Sequence, residues 1–395
     1  MPVESSQDVF GDGPVQGNPE GGCAECGEGC CDPYGAANYE PFWKPFIQHV
    51  GADVEYLHWW VKGAEAPALV TTGPTTQTQA QAGVLGQPGT AVLFGGSGLN
   101  GNDRSGARVT LDYWFDKCEN FALEGSWFGL GDDPSTYQAS STGTPILARP
   151  FLDVTTGNQD SRVIAYPGTF VGGVNASADL QLSGAEALVR HVLIRQGESR
   201  LDFLWGYRYL SLQDNLTITD TSTSTALNAT ASTIDQFLVS NEFNGFELGF
   251  KGQFRRERWS MDLLMKLGLG DMHSVVGIGG RTTTTTPTSA IPTASLGGLL
   301  AQPTNMGQYE QDQFAVVPEL GMRVHYDLTP RMEASVGYTM LYVSKVVRAA
   351  EQVDPSINDT QFGGGTLTGL ARPAFNLMTN DFWAQGIDVG LQYRF

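Results

Sequence analysis

The sequence predicts an all-β chain: a single antiparallel transmembrane β-barrel of about ten strands, with short turns at one end and long loops at the other. Three observations lead there. Segments of about ten residues alternate apolar with polar side chains, the period of a strand facing lipid on one side and a polar interior on the other. Charged residues make up only 16% of 395, and no run approaches the ~18 apolar residues of a membrane helix, so strands must make any crossing. The connections between alternating segments are short and long by turns.

Residues 1–45 are rich in Gly, Pro, Glu and Cys and carry no strand or helix period. They are expected to form a flexible periplasmic segment, with the barrel over 46–395. Met1-Pro2-Val3-Glu4 lacks the basic start and apolar core of a signal peptide; in an exported chain such a segment would already be gone. Cys23, Cys26, Cys30 and Cys31 lie within nine residues, and Cys118 falls in a predicted turn. The cluster is a candidate for disulfides in an oxidising periplasm, or for a metal, although no histidine lies close by.

The alternation opens with Val54, Tyr56, His58 and Trp60 set against Asp53, Glu55, Leu57 and Trp59. It returns over 108–115 and 121–127, more loosely over 177–190, and then over 201–209, 246–254, 259–269, 316–326 and 332–342. The last strand, 387–395, is apolar at every second residue from Ile387 to Phe395. Tyr393 and the terminal Phe395 resemble the C-terminal signal of bacterial outer-membrane barrels, through which the barrel-assembly machinery would act. Ten strands is an even number, as single-chain bacterial barrels require.

Short connections fall at 116–120, 195–199, 255–258 and 327–331, and long ones at 63–102, 131–173, 213–241, 272–311 and 344–381. Short periplasmic turns and long extracellular loops are the asymmetry of an outer-membrane barrel. Hairpins within 63–102 and 131–173 could add two strands, giving twelve. Threonine-rich tracts at 71–82, 219–233 and 282–289 read as solvated loop without a fold of their own. The apolar run Ala91-Val92-Leu93-Phe94 needs burial, so the 83–98 loop is expected to fold into the barrel mouth.

A net charge of -19 and a pI near 4.5 exclude nucleic acid as a partner. Charges on the lipid face would cost about 2–4 kcal/mol each for Arg or Lys at the midplane, so those within strands should line the lumen. These are Asp53, Glu55, Arg108, Asp112, Glu124, Glu186, Arg190, Asp202, Arg208, Glu247, Lys251, Asp262, Lys266, Glu319, Arg323, Glu333, Asp388 and Arg394. Acid and base recur four apart, as in Arg108/Asp112 and Glu319/Arg323, which suits a polar core cross-linked between strands or, failing that, a narrow cation-preferring pore. Asp271-Met272-His273 and Asp132-Asp133, at strand ends, resemble the acid and histidine pairs of omptin proteases, but adjacent acids diverge on a strand. No catalytic residue and no cofactor is expected.

Several segments carry a family resemblance: 55–63, Glu-Tyr-Leu-His-Trp-Trp-Val-Lys-Gly; 83–90, Gly-Val-Leu-Gly-Gln-Pro-Gly-Thr; Leu147-Ala148-Arg149-Pro150-Phe151; Gly206-Tyr207-Arg208-Tyr209-Leu210; Phe314-Ala315-Val316-Val317-Pro318-Glu319; and 379–386, Thr-Asn-Asp-Phe-Trp-Ala-Gln-Gly. Together, from about residue 46 to 395, they resemble the type-seven beta-barrel porin family of planctomycetes. The resemblance implies a bacterial outer-membrane barrel. The expected function is a narrow porin for small hydrophilic solutes or cations. The alternative is a closed-lumen structural or interaction barrel organising the cell surface; an omptin-like protease is third. Expected partners are outer-membrane lipid and either further copies of the chain or a surface layer.

Overall fold

The computed structural model describes residues 49–116, 119–289 and 291–395. The 1–45 segment with Cys23, Cys26, Cys30 and Cys31 lies outside the described residues, as does Cys118. Ten strands form a closed ring. They are β1 (Val50–Val61), β2 (Asp103–Trp114), β3 (Phe121–Leu130), β4 (Phe170–Gln196), β5 (Ser199–Ser224), β6 (Thr230–Arg256), β7 (Trp259–Thr285), β8 (Gly307–Thr329), β9 (Met332–Val347) and β10 (Thr379–Arg394). Each pairs antiparallel with its successor, and β10 returns to β1, so the ring is closed over the span that all ten ladders share.

The ring closes because each strand offers lipid an apolar stripe and satisfies its backbone on both sides. On β7 the outward residues Trp259, Met261, Leu263, Met265, Leu267 and Leu269 alternate with the buried Asp262 and Lys266. That stripe is as long as a tilted strand needs to cross hydrocarbon, about 9–11 residues. Trp259 and Tyr326 pack 4.8 Å apart at its periplasmic end, where aromatic girdles sit. The periplasmic turns are tight. Gln196 pairs with Ser199 across Gly197, whose φ of 56° glycine tolerates without the Cβ clash of other residues.

The outer half departs from expectation. Strands β4 to β7 run for 26 or 27 residues, far beyond the lipid band. The segments 213–241 and 272–285, read from sequence as loop, belong to the wall: the first is a tall hairpin and the second is the upper end of β7. The tracts pair as strand over 219–224, 230–233 and 282–285, Asp220 with Thr233 and Thr230 with Thr285. Threonine is β-branched and suits a pleated surface wet on one side, so low complexity did not mean a lack of fold.

The remaining long connections build a second, smaller sheet. Strands Asn158–Ala165, Leu147–Asp153, Ala68–Thr72 and Ala91–Gly95 lie side by side in that order, and Ser356–Ile357 joins Leu147–Asp153 in parallel. The hairpins within 63–102 and 131–173 therefore form this head sheet instead of adding to the ring. Ser135–Ser141 pairs with the upper part of β4, extending the wall above β3.

Candidate functional site

Alternation along a strand sends every second side chain into the ring, and the interior is stacked in layers along the barrel axis. The periplasmic half is charged. Arg208 on β5 meets Glu247 on β6 at 2.5 Å and also bonds Glu319 on β8. Lys266 on β7 reaches Glu186 on β4 at 2.6 Å and Glu319 at 3.4 Å. Arg323 on β8 bonds Asp53 at 3.1 Å and Glu55 at 2.5 Å on β1, and Arg108 joins Glu55 at 3.3 Å.

Nearer the periplasm, Arg190 holds Asp202 at 2.5 Å and Glu124 at 3.6 Å, and Lys251 holds Asp262 at 3.2 Å. Arg394, at the rim, pairs with Glu333 at 3.0 Å, while Asp112 lies opposite Glu124 in the β2–β3 ladder. Asp388 accepts from Trp59 Nε1 at 2.7 Å and from Thr339. Tyr393 and Phe395 are on the outer surface, their rings edge to face at 4.9 Å.

Each of these ion pairs joins different strands. Lys266 to Glu186, Arg208 to Glu319 and Arg323 to Asp53 each link strands three apart round the ring, so they are chords across the interior. The spacing of four residues along a strand sets the height of each charge; the partner comes from elsewhere. Charges in a low dielectric need such partners, because an unpaired one costs several kcal/mol. Glu186, Glu247 and Glu319 bring carboxylate oxygens within 4.8 Å of one another, as a metal site would. Their cations are already built in as Lys266 and Arg208. The cavity between Arg108, Glu186, Arg208, Lys266 and Glu319 measures about 10 Å³, room for one water at most.

The next layer outward is apolar. Leu57, Trp59, Leu182, Leu210, Leu212, Phe243, Met272, Val317, Leu341 and Phe382 belong to one packed cluster, each no more than 2% exposed. They come from β1, β4, β5, β6, β7, β8, β9 and β10, and β3 adds Phe128 and Leu130. Side chains on opposite walls can all be dry only if they meet in the middle.

Above that layer the head sheet enters the mouth of the ring. Leu69, Val70, Leu147, Phe151 and Ile164 pack with inward residues of the tall strands, among them Val174, Leu216, Ile218, Phe237 and Val276. Phe94, from the 83–98 loop, is buried in the same cluster and stacks on Tyr137 at 6.4 Å, whereas Val92 is exposed. Arg149 is fully buried and bonds Asp220 at 2.8 Å and Asp235 at 2.7 Å, fastening the head to β5 and β6. Asp235 also accepts the backbone N–H groups of Leu299, Leu300 and Ala301. Arg348 bonds Asp214 at 2.5 Å and the carbonyl of Lys62 at 2.9 Å.

Sequence reasoning missed this upper set, Arg149, Arg348, Asp214, Asp220 and Asp235, because it falls in segments read as loop. His325, on the polar side of its strand by alternation, was left out of the lumen charges, yet it is buried between Asp262 at 3.3 Å and Glu333 at 3.9 Å. Its place on the inward phase of β8 was the available signal.

The protease-like residues do not converge. Asp271 and His273 are on the outward face of β7 just above the lipid band, where His273 Nδ1 bonds Asp312 at 2.6 Å. That bond raises the His273 pKa above its usual value. Asp132 is 3.5 Å from the buried Arg104, on the inward phase of β2, and Asp133 accepts from Asn102 at 3.1 Å.

Solved structures that resemble the chain include the outer membrane protease OmpT from Escherichia coli, 9% identical, covering 88% of this chain and 97% of that one at a TM-score of 0.42. A Pseudomonas aeruginosa FadL homologue is 8% identical, covering 88% and 90% at 0.24, and the P. putida toluene transporter TodX is 7% identical, covering 87% and 89% at 0.20. At those scores the likeness carries no argument. No curated protein matches the chain significantly. A family model matches residues 52–395, nearly the whole barrel. The chain is an outer-membrane β-barrel and belongs to the family described as "Putative beta barrel porin-7".

Proposed function

We propose that this barrel is a closed stem that holds a folded head at the cell surface, with a structural or interaction role, and that it does not conduct. The observation that carries the reading is the apolar layer: side chains from nine of the ten strands meet in one dry cluster across the ring. An aqueous channel needs a continuous polar path, and apolar constrictions gate by excluding water. The charged layer below supports the same reading, since its ion pairs span the interior and leave a cavity of about 10 Å³. A periplasmic vestibule of about 150 Å³, lined by Arg190, Arg200, Lys251 and Arg255, ends beneath that layer. With Asp271 and His273 outside the wall and Asp132 held by Arg104, we assign no hydrolytic role.

A narrow porin, the reading the family's name favours, is the competing outcome. The test is single-channel recording of the refolded protein in a planar bilayer, with gel mobility before and after heating to confirm a folded barrel. The expected result is a silent membrane. Steady conductance with cation preference would replace the closed stem with a pore.

A further inference from the structure

The lipid-facing wall carries a feature that its sealed interior does not explain. Across the strands near the periplasmic end, Leu391, Ala334, Tyr326 and Trp259 pair in one row. Three of the four are large, and Ala334 contributes a single methyl, so the wall is hollowed there. The resulting groove has a volume of about 740 Å³, within the range of about 300–1,000 Å³ typical of small-molecule sites. Its walls are almost wholly apolar, formed by Tyr326, Trp259, Leu391 and Val336. It lies in the half of the lipid band next to the short turns, because Ala334 is three residues, roughly 10 Å of strand, from Arg331.

The rim below the groove is basic. The Arg258 guanidinium lies 4.9 Å from the centre of the Tyr326 ring, which forms the groove wall. Among the described residues it donates only to the backbone carbonyls of Asp327 and Leu328, while the Asp327 carboxylate is held by Arg255 at 2.7 Å. Arg331 is exposed and, among the described residues, has no carboxylate partner. Glu257 shares the turn with Arg256 and Arg258 and offsets one of these three charges. The chain as a whole carries -19, so uncompensated guanidinium groups at this edge run against its general charge.

We propose that this groove binds one anionic glycerophospholipid of the periplasmic leaflet, an acyl chain over Ala334 and the phosphate on Arg258 and Arg331. Apolar walls ending in a pair of guanidinium groups match a molecule with a long hydrocarbon tail and a phosphate at its head. A second copy of the barrel fits less well. In the same membrane it would bring its own basic rim to the same height, setting like charges against one another. The inference is independent of whether the interior conducts, since the side chains that wall the groove, Trp259, Tyr326, Val336 and Leu391, are on the lipid-facing phase of their strands.

The test is native mass spectrometry of the delipidated full chain in non-ionic detergent, titrated with dioleoyl phosphatidylglycerol or dioleoyl phosphatidylcholine. The wild type should retain one phosphatidylglycerol, with about tenfold preference over phosphatidylcholine. Ala334→Trp, which fills the groove from the lipid side, should lose both. The double variant Arg258→Gln with Arg331→Gln should lose the preference and keep the weaker phosphatidylcholine binding. Heat-shifted gel mobility establishes that each variant is folded, and the arginine variant carries the test alone if Ala334→Trp does not fold. Equal retention of both lipids by the wild type, unchanged retention in Ala334→Trp, or a wild-type dimer that Ala334→Trp splits without affecting lipid would each overturn the proposal.

Discussion

The two halves of the barrel interior are built on the same strands, yet they are filled in opposite ways. On β5 the inward residues of the periplasmic half include Asp202 and Arg208, and those of the outer half include Leu212, Leu216 and Ile218. The outward face changes in the opposite sense, from Phe203, Trp205 and Tyr207 to Gln213, Asn215 and Thr217. The amphipathic sign of the strand therefore inverts at Tyr209-Leu210, where the surroundings change from lipid to water. Below that point the hydrocarbon takes the apolar side chains and charges are left to fill the core. Above it the wall behaves like a soluble sandwich, apolar within and polar without. Strands β4 to β8 thus pass from one solvent to the other with their ladders unbroken at the inversion.

The largest effect should come from cutting the charged layer. Arg208→Met strands Glu247 in a buried site and leaves Glu319 to Lys266 alone, and removing one partner of such a pair costs about 3–5 kcal/mol. Denaturant unfolding of the refolded barrel should show that loss; a change below about 1 kcal/mol would mean that water reaches the layer. In the apolar layer, Phe243→Ala should cost about 3 kcal/mol through the cavity it leaves. Conductance appearing in Phe243→Ala and absent from Arg208→Met would identify the apolar layer as the seal; the reverse would assign that role to the ion pairs.

Smaller effects separate the head and outer wall by pH. Burial raises the Asp354 pKa, but hydrogen bonds from the Ala374 and Ser356 backbone outweigh it, and the group ends below its ordinary value. A hydrogen bond from Lys62 likewise lowers Asp381. Depressed carboxyls stabilise above the unfolded value of about 4 and lose that contribution as pH falls through the folded one. The head should therefore loosen in acid, seen as faster proteolysis of 348–378, and Asp354→Asn should remove most of that pH dependence. His273 has the opposite sign: Asp312 raises its pKa, so its contribution is complete below about 6.5 and fades as pH rises through the folded value. An NMR titration of His273 should give a midpoint above 6.5, and Asp312→Asn should bring it down. An unshifted midpoint would mean that the 2.6 Å contact does not persist in solution.

The same inversion explains how much of the molecule was legible in its sequence. The ten strands, the tight turns and the charges of the periplasmic half could be read because a charge amid apolar alternation stands out. The pattern was lost where it changed sign. Beyond Tyr209, Leu212, Leu216 and Ile218 lie on the opposite phase with Asp214 among them, and polar residues between them obscured the period. The stretch read as the start of a loop. The head sheet was hidden for another reason. Its strands are short, come from loops far apart in the chain, and pair only after the ring has brought those loops together. Even so, the need to bury Ala91-Val92-Leu93-Phe94 pointed toward the mouth, and Phe94 is buried there.

The inverted stripe also acts as a depth gauge. A barrel that was apolar along its whole outer face could slide along the membrane normal at little cost. This one cannot, because the outward residue after Leu269 is Asp271 and the next is His273, with Asn244 and Phe314 beside Asp271 on the adjacent strands. Sinking by one inward–outward pair, about 7 Å, would take a carboxylate and an amide into hydrocarbon; rising by the same amount would bring Met261 and its neighbours out into water. The immersion of the stem, and with it the height at which the head stands above the lipid, is set to within about one such pair by where the strands change sign.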